Sequence, residues 1–160
     1  MAYGREVEKE SMIPSIMRAF RGKELIRSPL LHDPALGLAG APDYVVITWS
    51  GDAVPVEIKW SEPGKGGRPK RDHVMQLAAY ALLVERAWRD RVKGSVKRGG
   101  IYYLRPEGRI IKVSITYSMK KAVLRALERM RKIARGETEP KPARKCRSCN
   151  YAPHCPYTIK

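Results

Sequence analysis

The sequence predicts an α/β protein with a mixed central β-sheet flanked by helices, followed by a cysteine-rich C-terminal segment. Helical and strand-like apolar patterns alternate in the order helix, hairpin, helix, hairpin, helix, which is typical of helices packed on the faces of a sheet. The chain has 160 residues, enough for one domain with a hydrophobic core and too few for two comfortable ones. The predicted domain covers residues 1–136, and the cysteine segment, residues 137–160, is expected to pack on it.

Three amphipathic segments are predicted to be helices. Residues 4–22 carry apolar side chains on one face, and Pro14 is expected to break or bend that helix. A second helix is expected to begin at a cap formed by Asp72 and to run to about residue 91. Residues 119–134 have the pattern of a third helix.

The strands are predicted from runs of β-branched and aromatic residues bounded by turns. Residues 23–42 are apolar but interrupted by prolines and a glycine, which favours short strands and turns. The longer predicted strands are residues 44–49, 54–60, 101–104 and 110–116. Trp49 and Trp60 flank the first hairpin, and we expect them in the core or at its rim rather than as base-stacking surfaces.

The charge of the chain indicates a polyanionic partner. Lysine and arginine number 32 against 16 acidic residues, a formal net charge of +16. Such a surface attracts nucleic acid, although a basic surface of a heat-adapted protein is the alternative. The candidate nucleic-acid contacts are Lys65, Arg68, Lys70 and Arg71 in a basic loop expected to be mobile, and Arg144, Lys145 and Arg147 beside the cysteines.

Composition also bears on location. No apolar run approaches the roughly 20 residues of a membrane span, and the N-terminus lacks a signal-peptide pattern. We therefore expect a cytoplasmic protein without a membrane partner. The chain has one glutamine and one asparagine, which is typical of a thermophilic bacterium or archaeon.

The strongest functional signal is a set of polar residues on the first hairpin. Asp43 precedes one strand, and Glu57-x-Lys59 ends the next. With a turn centred on Gly51, Asp43 would lie opposite Lys59, and Glu57 would share their face while Ile58 points to the other. This arrangement requires an odd number of loop residues or a bulge, because an even loop would shift the register by one.

These residue types suit metal-dependent phosphodiester chemistry. Asp43, Glu57 and the backbone carbonyl of Ile58 are a hard oxygen set, suited to Mg²⁺ or Mn²⁺. A metal held there polarises a phosphate and acidifies water, and Lys59 can neutralise developing charge. Gln76 and Tyr80 share one face of the second helix and could reach the site.

The three cysteines lie within ten residues of one another. Cys146, Cys149 and Cys155 have the spacing C-x2-C-x5-C, which suits zinc or an iron–sulfur cluster better than a disulfide framework. The fourth position could be taken by another group, of which His154 is the nearest, could lie on a longer N-terminus, could stay open, or the cluster could be lost. We favour a 4Fe–4S cluster, with zinc as the alternative.

Taken together, the motifs resemble a known group of nucleases. Gly40-x-x-Asp43, Glu57-x-Lys59 and Gln76-x-x-x-Tyr80 are similar to the motifs of the RecB-like branch of the PD-(D/E)XK nuclease superfamily. The cysteine segment narrows the resemblance to the CRISPR-associated exonuclease family numbered four, which carries an iron–sulfur cluster. The resemblance covers residues 4 to 157 and implies a restriction-endonuclease-like core.

The resemblance implies a metal-dependent DNA exonuclease acting on single-stranded ends beside the CRISPR integrase. Asp43 and Glu57 would bind metal, and Lys59, Gln76 and Tyr80 would complete the site. Where the family commonly has a histidine ligand this chain has Glu8, either a further ligand or a solvated helix residue. The alternatives are a non-catalytic nucleic-acid-binding module and a structure-selective endonuclease such as a junction resolvase.

Overall fold

The computed structural model describes residues 10–92, 94–140 and 146–158. The helices are α1 (Ile13–Phe20), α2 (Arg71–Ala87) and α3 (Tyr117–Ala134), and the strands are β1 (Gly22–Arg27), β2 (Leu31–Asp33), β3 (Leu38–Gly40), β4 (Tyr44–Thr48), β5 (Ala53–Lys59), β6 (Arg98–Tyr103) and β7 (Arg109–Ser114). Short 3-10 turns cover Lys65–Gly67, Cys146–Ser148 and Ala152–His154. Within these ranges no helix combines the length and apolar composition that a membrane span requires.

Five strands form the main sheet in the order β1-β4-β5-β6-β7, and β2 pairs with β3 separately. Neighbours in the main sheet are antiparallel except β5 and β6, which are parallel. Parallel neighbours need a crossover connection, and α2 lies in the one between β5 and β6. The predicted α/β fold with a mixed central sheet and flanking helices is confirmed.

The hydrophobic core on the α1 side of the sheet consists mainly of Met12, Ile16, Phe20, Tyr44, Val46, Val54, Val56 and Ile58. Two adjacent glycines of β6 show how closely helices approach both faces. A Cβ atom on Gly99 would lie 2.6 Å from the Leu77 side chain of α2, and one on Gly100 would lie 2.8 Å from the Phe20 ring of α1. Successive residues of a strand point to opposite faces, so β6 is sandwiched between α1 and α2.

The starts of the first two helices bear on two sequence predictions. Glu10 and Ser11 are helical, Met12 forms a turn, and α1 begins at Ile13 with Pro14 in its first turn, where its missing N–H is no loss. The predicted break in the helix is therefore confirmed, and it lies just before Pro14. Extended Lys70 occupies the N-cap of α2 without a side-chain cap bond, and Asp72 lies within the first turn. The predicted cap is therefore wrong, although an acidic residue there still favours the helix dipole.

The chain divides into two compact units, Met1–Val123 and Leu124–Lys160, and the division falls inside α3. The seven described strands, α1 and α2 lie in the first unit. The last part of α3 and the two 3-10 turns near the cysteines lie in the second. The domain boundary after residue 136 and the packing of the cysteine segment on the domain stay predictions.

Candidate active site

The hairpin of β4 and β5 brings Asp43 and Glu57 together. Tyr44 pairs with Val56 and Ile47 pairs with Ala53, so Asp43, one residue before Tyr44, is level with Glu57. The prediction of Lys59 opposite Asp43 is therefore wrong by two residues, because the odd loop is centred on Ser50 instead of Gly51. A shift of two residues preserves the face, so the predicted side-chain arrangement survives.

Four of the candidate side chains form one hydrogen-bonded network. Lys59 Nζ donates to Glu57 Oε1 over 3.0 Å and to Gln76 Oε1 over 2.7 Å. The Gln76 amide nitrogen donates to the same Glu57 oxygen over 3.0 Å and to the Tyr80 hydroxyl over 2.8 Å. Gln76 thus uses both ends of its amide, and its orientation is determined by a lysine donor and a carboxylate acceptor.

Asp43 joins the network through the backbone. Its Oδ2 accepts the N–H of Ile58 over 2.8 Å, and its own N–H points to Glu57 Oε2 over 3.4 Å. The N–H and C=O of one strand residue point to the same side, so the Ile58 carbonyl also faces the Asp43 side of β5. The Ile58 side chain packs into the α1 core on the opposite face, as predicted.

The position of Tyr80 depends on a glycine of β3. A Cβ atom on Gly40 would lie 2.9 Å from Cε1 of the Tyr80 ring, closer than real Cβ atoms approach other groups. The absence of a side chain at Gly40 therefore lets the Tyr80 ring pack against β3 while its hydroxyl bonds Gln76. This gives the first residue of Gly40-x-x-Asp43 a packing role in the site.

The electrostatics of the site favour an added cation. Glu57 is 9% exposed. Burial, and then the negative charge of Asp43, raise the pKa of its carboxyl above the usual range, although Lys59 opposes both effects. Burial also raises the pKa of the Tyr80 hydroxyl, so Tyr80 is neutral at physiological pH. Two carboxylates this close together repel each other, and a divalent cation bound between them would relieve that repulsion.

The residues present fit Mg²⁺ or Mn²⁺ rather than a metal enclosed by protein ligands alone. Among the described residues no three Asp, Glu, His or Cys side chains form a group that could hold a metal ion. Two carboxylates and one carbonyl suit Mg²⁺, which commonly keeps several waters and takes one or two carboxylates. Glu8, the further candidate ligand, lies outside the described residues.

Sequence analysis missed the support beneath the N-terminus of α2. The Tyr103 side chain is fully buried, and its hydroxyl accepts the Lys70 N–H over 3.1 Å and contacts His73 Nδ1 at 2.8 Å. Burial lowers the pKa of His73, which favours the neutral ring. His73 lies three residues before Gln76, so this contact fixes the helical turn that presents Gln76. The pairing of Tyr103 with Lys59 across β5 and β6 could be identified only once the register was known.

A second anchor lies near the other end of α2. Arg86 pairs with Asp33 of β2, a carboxylate that is 7% exposed. Hydrogen bonding from Arg86 is the main cause that holds the pKa of Asp33 below its usual range. The ion pair spans 53 residues of sequence and has no local motif that could have revealed it.

The basic residues predicted to contact nucleic acid are partly described. Lys65, Arg68 and Arg71 are exposed, whereas Lys70 is half-buried and bonds Ser61. The loop that carries them contains a 3-10 turn closed by a 2.7 Å bond from the Gly64 N–H to the Arg68 carbonyl. Arg147 is exposed in the second unit, and Arg144 and Lys145 lie outside the described residues.

The cysteines occupy consecutive tight turns. The Cys149 N–H donates to the Cys146 carbonyl over 3.1 Å, and Cys155 follows the second 3-10 turn. In the described part of the chain these thiols do not form a group that could hold a metal ion. The predicted 4Fe–4S or zinc site therefore has no support from this geometry and rests on the spacing of the cysteines.

Comparison with known proteins agrees with the predicted fold and superfamily. The sequence profile of the PD-(D/E)XK nuclease superfamily matches residues 3–156. The crystal structure of SSO0001 is similar, with a TM-score of 0.56 and 18% identity, and the match covers 98% of this chain and 72% of that one.

A candidate exonuclease from Eubacterium rectale matches with a TM-score of 0.48 and 16% identity, over 91% of this chain and 58% of its own. No curated protein matches the sequence significantly. Structural likeness at such low identity concerns the fold alone, whereas the profile covers nearly the whole chain. The chain belongs to the PD-(D/E)XK nuclease superfamily.

Proposed function

We propose that this protein is a metal-dependent deoxyribonuclease that hydrolyses phosphodiester bonds at single-stranded DNA ends. One observation carries the proposal: Lys59 Nζ bonds both Glu57 and Gln76, over 3.0 and 2.7 Å. A surface Glu-x-Lys pair has no need of a glutamine from another element. Here Gln76 of α2 bonds both Lys59 and Glu57 beside Asp43, which supports a catalytic role for these four residues.

Each side chain has a defined role in this proposal. Asp43, Glu57 and the Ile58 carbonyl would hold Mg²⁺ or Mn²⁺, which polarises a phosphate and lowers the pKa of water. Lys59 is held where its ammonium group can neutralise negative charge that develops on the phosphate. Gln76 keeps Lys59 and Glu57 in place, and Tyr80 holds the amide of Gln76.

The proposed substrate and biological role follow from the charge of the chain and from its resemblance to a family. The net charge of +16 favours DNA as partner. Attack at DNA ends, and trimming in CRISPR spacer acquisition beside the integrase, rest on the resemblance of Gln76-x-x-x-Tyr80 and the cysteine segment to the family numbered four. The same resemblance supports an iron–sulfur cluster, or zinc, at Cys146, Cys149 and Cys155, and the metal content of the native protein decides between them.

The test is the degradation of single-stranded DNA labelled at either end, in Mg²⁺, Mn²⁺ or EDTA. Lys59→Ala should abolish shortening, because the ammonium group is lost from the site. Lys97→Ala removes an exposed lysine outside the network and should cleave like the wild type. Circular single-stranded DNA of the same sequence should resist cleavage if the enzyme requires an end.

Two results would contradict the proposal. Cleavage by Lys59→Ala at the wild-type rate would mean that the bonded network is structural. Wild-type protein that binds DNA tightly but never cleaves it would favour the non-catalytic binding module instead. Rapid cutting of the circle would retain the nuclease but favour an endonuclease.

A further inference from the structure

A second groove lies at the end of the hairpin away from the catalytic carboxylates. It encloses about 870 Å³ and is lined mainly by Arg18, Phe20, Arg21, Trp49, Arg98 and Lys112. Its position follows from the topology, because the turn between β4 and β5 contributes Trp49 whereas Asp43 and Glu57 lie at the opposite ends of these strands. From Ala53 to Glu57 the strand extends about 13 Å.

The lining carries four cationic side chains and no carboxylate. Arg98 is neutralised in part by Asp52, 2.7 Å away. In the described part of the chain no carboxylate pairs with Arg18, Arg21 or Lys112. A concave surface with positive charge attracts polyanions, so the charge of this groove favours the binding of an anionic strand.

Trp49 adds an aromatic surface to this charge. Its residue is 75% exposed, contrary to the expectation of a core or rim position, and Lys23 Nζ lies 5.8 Å from its ring centroid. The backbone N–H of Trp49 donates to the backbone carbonyl of Arg21 over 3.2 Å, which holds the two residues beside each other. An exposed aromatic ring among phosphate-binding cations is the combination that binds single-stranded nucleic acid by base stacking.

The backbone of Arg21 provides an independent observation. Arg21 caps the C-terminus of α1 in the left-handed conformation, with φ 53° and ψ 51°, where glycine is the usual residue. A non-glycine residue is strained in that conformation, and such strain persists where the side chain or the site has a use. Arg21 is one of the residues that line the groove.

We propose that this groove binds a segment of single-stranded DNA outside the catalytic site. Phosphates contact Arg18, Arg21 and Lys112, and one base stacks on Trp49. The proposal rests on the proposed nuclease function for its substrate class. Because β5 alone extends about 13 Å from Ala53 to Glu57, a strand with about 3.4 Å per stacked nucleotide needs at least about four nucleotides to reach from the groove to the catalytic site. The groove should therefore contribute to the binding of strands long enough to reach both sites, and not to the binding of shorter strands.

The test measures binding of a labelled 20-nucleotide oligothymidine in EDTA, which prevents cleavage. Trp49→Ala and Arg21→Gly should each weaken binding about five- to tenfold, as expected for loss of one stacked base or one phosphate contact. Arg21→Gly should melt at or above the wild-type temperature, because glycine relieves the left-handed strain, so weaker binding cannot be attributed to unfolding. Arg89→Gln, an exposed arginine that does not line the groove, is the charge control and should bind nearly normally.

An abasic strand of the same length separates stacking from charge. It should bind more weakly than oligothymidine to the wild type and be unaffected by Trp49→Ala. Wild-type affinity in both groove variants would overturn the proposal, as would equal competition by polyglutamate of similar charge, which would indicate an acidic protein partner. Failure of the nuclease proposal would appear separately, as absence of metal-dependent cleavage, while the EDTA binding measurement still reports on the groove.

Discussion

Gln76 bonds three other side chains of the candidate site. Its carbonyl accepts from Lys59, and its amide nitrogen donates to Glu57 and Tyr80. A residue that orients the charged groups of an active site by hydrogen bonds typically affects activity even though it does not touch the substrate. Gln76 is therefore a positioning residue for Lys59 and Glu57.

Replacement of Gln76 by alanine should lower metal-dependent cleavage about 10- to 100-fold, because Lys59 and Glu57 lose the group that orients them both. Single-turnover cleavage and oligonucleotide binding, measured together, check this. Tyr80→Phe is the matched control: it removes only the acceptor of one of the three bonds and should have a smaller effect. Equal losses in both variants would contradict the central place of Gln76.

Glu57 makes the metal-free site sensitive to pH. Burial and the charge of Asp43 raise the pKa of its carboxyl. The native state therefore holds this proton more tightly than the unfolded chain, where the pKa of a glutamate is about 4.3. In the absence of metal, the contribution of Glu57 to the unfolding free energy declines as pH rises from that value through the raised native pKa.

The difference in melting temperature between wild type and Glu57→Gln isolates this effect. In EDTA, the wild type should lose melting temperature relative to Glu57→Gln as pH rises above about 4.3. Excess Mg²⁺ should restore the wild type and not the variant, since only the wild type has both carboxylates. A difference that stays constant with pH, or grows in favour of the wild type, would contradict the charge assignment.

At the scale of elements, α2 places Gln76 and Tyr80 because it is held at both ends. Tyr103 of β6 contacts its first turn through Lys70 and His73, and Asp33 of β2 pairs with Arg86 in its last turn. Between these anchors Leu77, Ala78 and Ala81 are fully buried, which fixes the rotation of the helix. In this orientation Gln76 reaches Lys59 and Glu57 of β5.

Tyr103→Phe tests the anchor at the N-terminus of α2. Loss of the buried hydroxyl leaves the Lys70 N–H and His73 without their partner, which should destabilise the protein by about 1–3 kcal/mol. That corresponds to a fall in melting temperature of roughly 2–4 °C per kcal/mol for a chain of this size. Tyr102→Phe, one residue away and half-buried, should change stability by less than about 0.5 kcal/mol. Equal effects of the two variants would contradict the anchor.

Which residues share the site could be predicted from the sequence better than the register in which β4 and β5 pair. Strand alternation correctly places Asp43, Glu57 and Lys59 on one face, and helical spacing correctly joins Gln76 to Tyr80. The opposite partner of Asp43 depends on where the turn is centred, and Gly51 was the wrong centre. A loop centred on Ser50 and a loop centred on Gly51 both contain an odd number of residues. For this reason the face that the side chains share was predictable, although the residue opposite Asp43 was not.

Contacts between distant segments could not be predicted. Gly99 and Gly100 look like strand breakers, yet they lie in β6 because α1 and α2 press on its two faces. The bonds of Tyr103 to His73 and of Asp33 to Arg86 join segments 30 and 53 residues apart. No local periodicity encodes such pairs, because they depend on the packed sheet and helix.

At the scale of the whole molecule, the chain is strongly basic, yet two carboxylates, Asp43 and Glu57, lie together in its candidate active site. The net charge of +16 attracts DNA, and Asp43 and Glu57 oppose that attraction locally until a cation binds. Removal of one carboxylate should therefore separate binding from catalysis. Asn at position 43 is the most conservative such change, because its amide oxygen can still accept the Ile58 N–H.

Mn²⁺-dependent cleavage and binding of single-stranded DNA by Asp43→Asn, beside the wild type, test the central claim most directly. We predict that the wild type cleaves only with metal, that Asp43→Asn loses cleavage by a factor of about 10³ or more, and that its DNA affinity is equal or higher. Cleavage by Asp43→Asn at the wild-type rate would contradict the assignment of Asp43, Glu57 and Lys59 as the catalytic site.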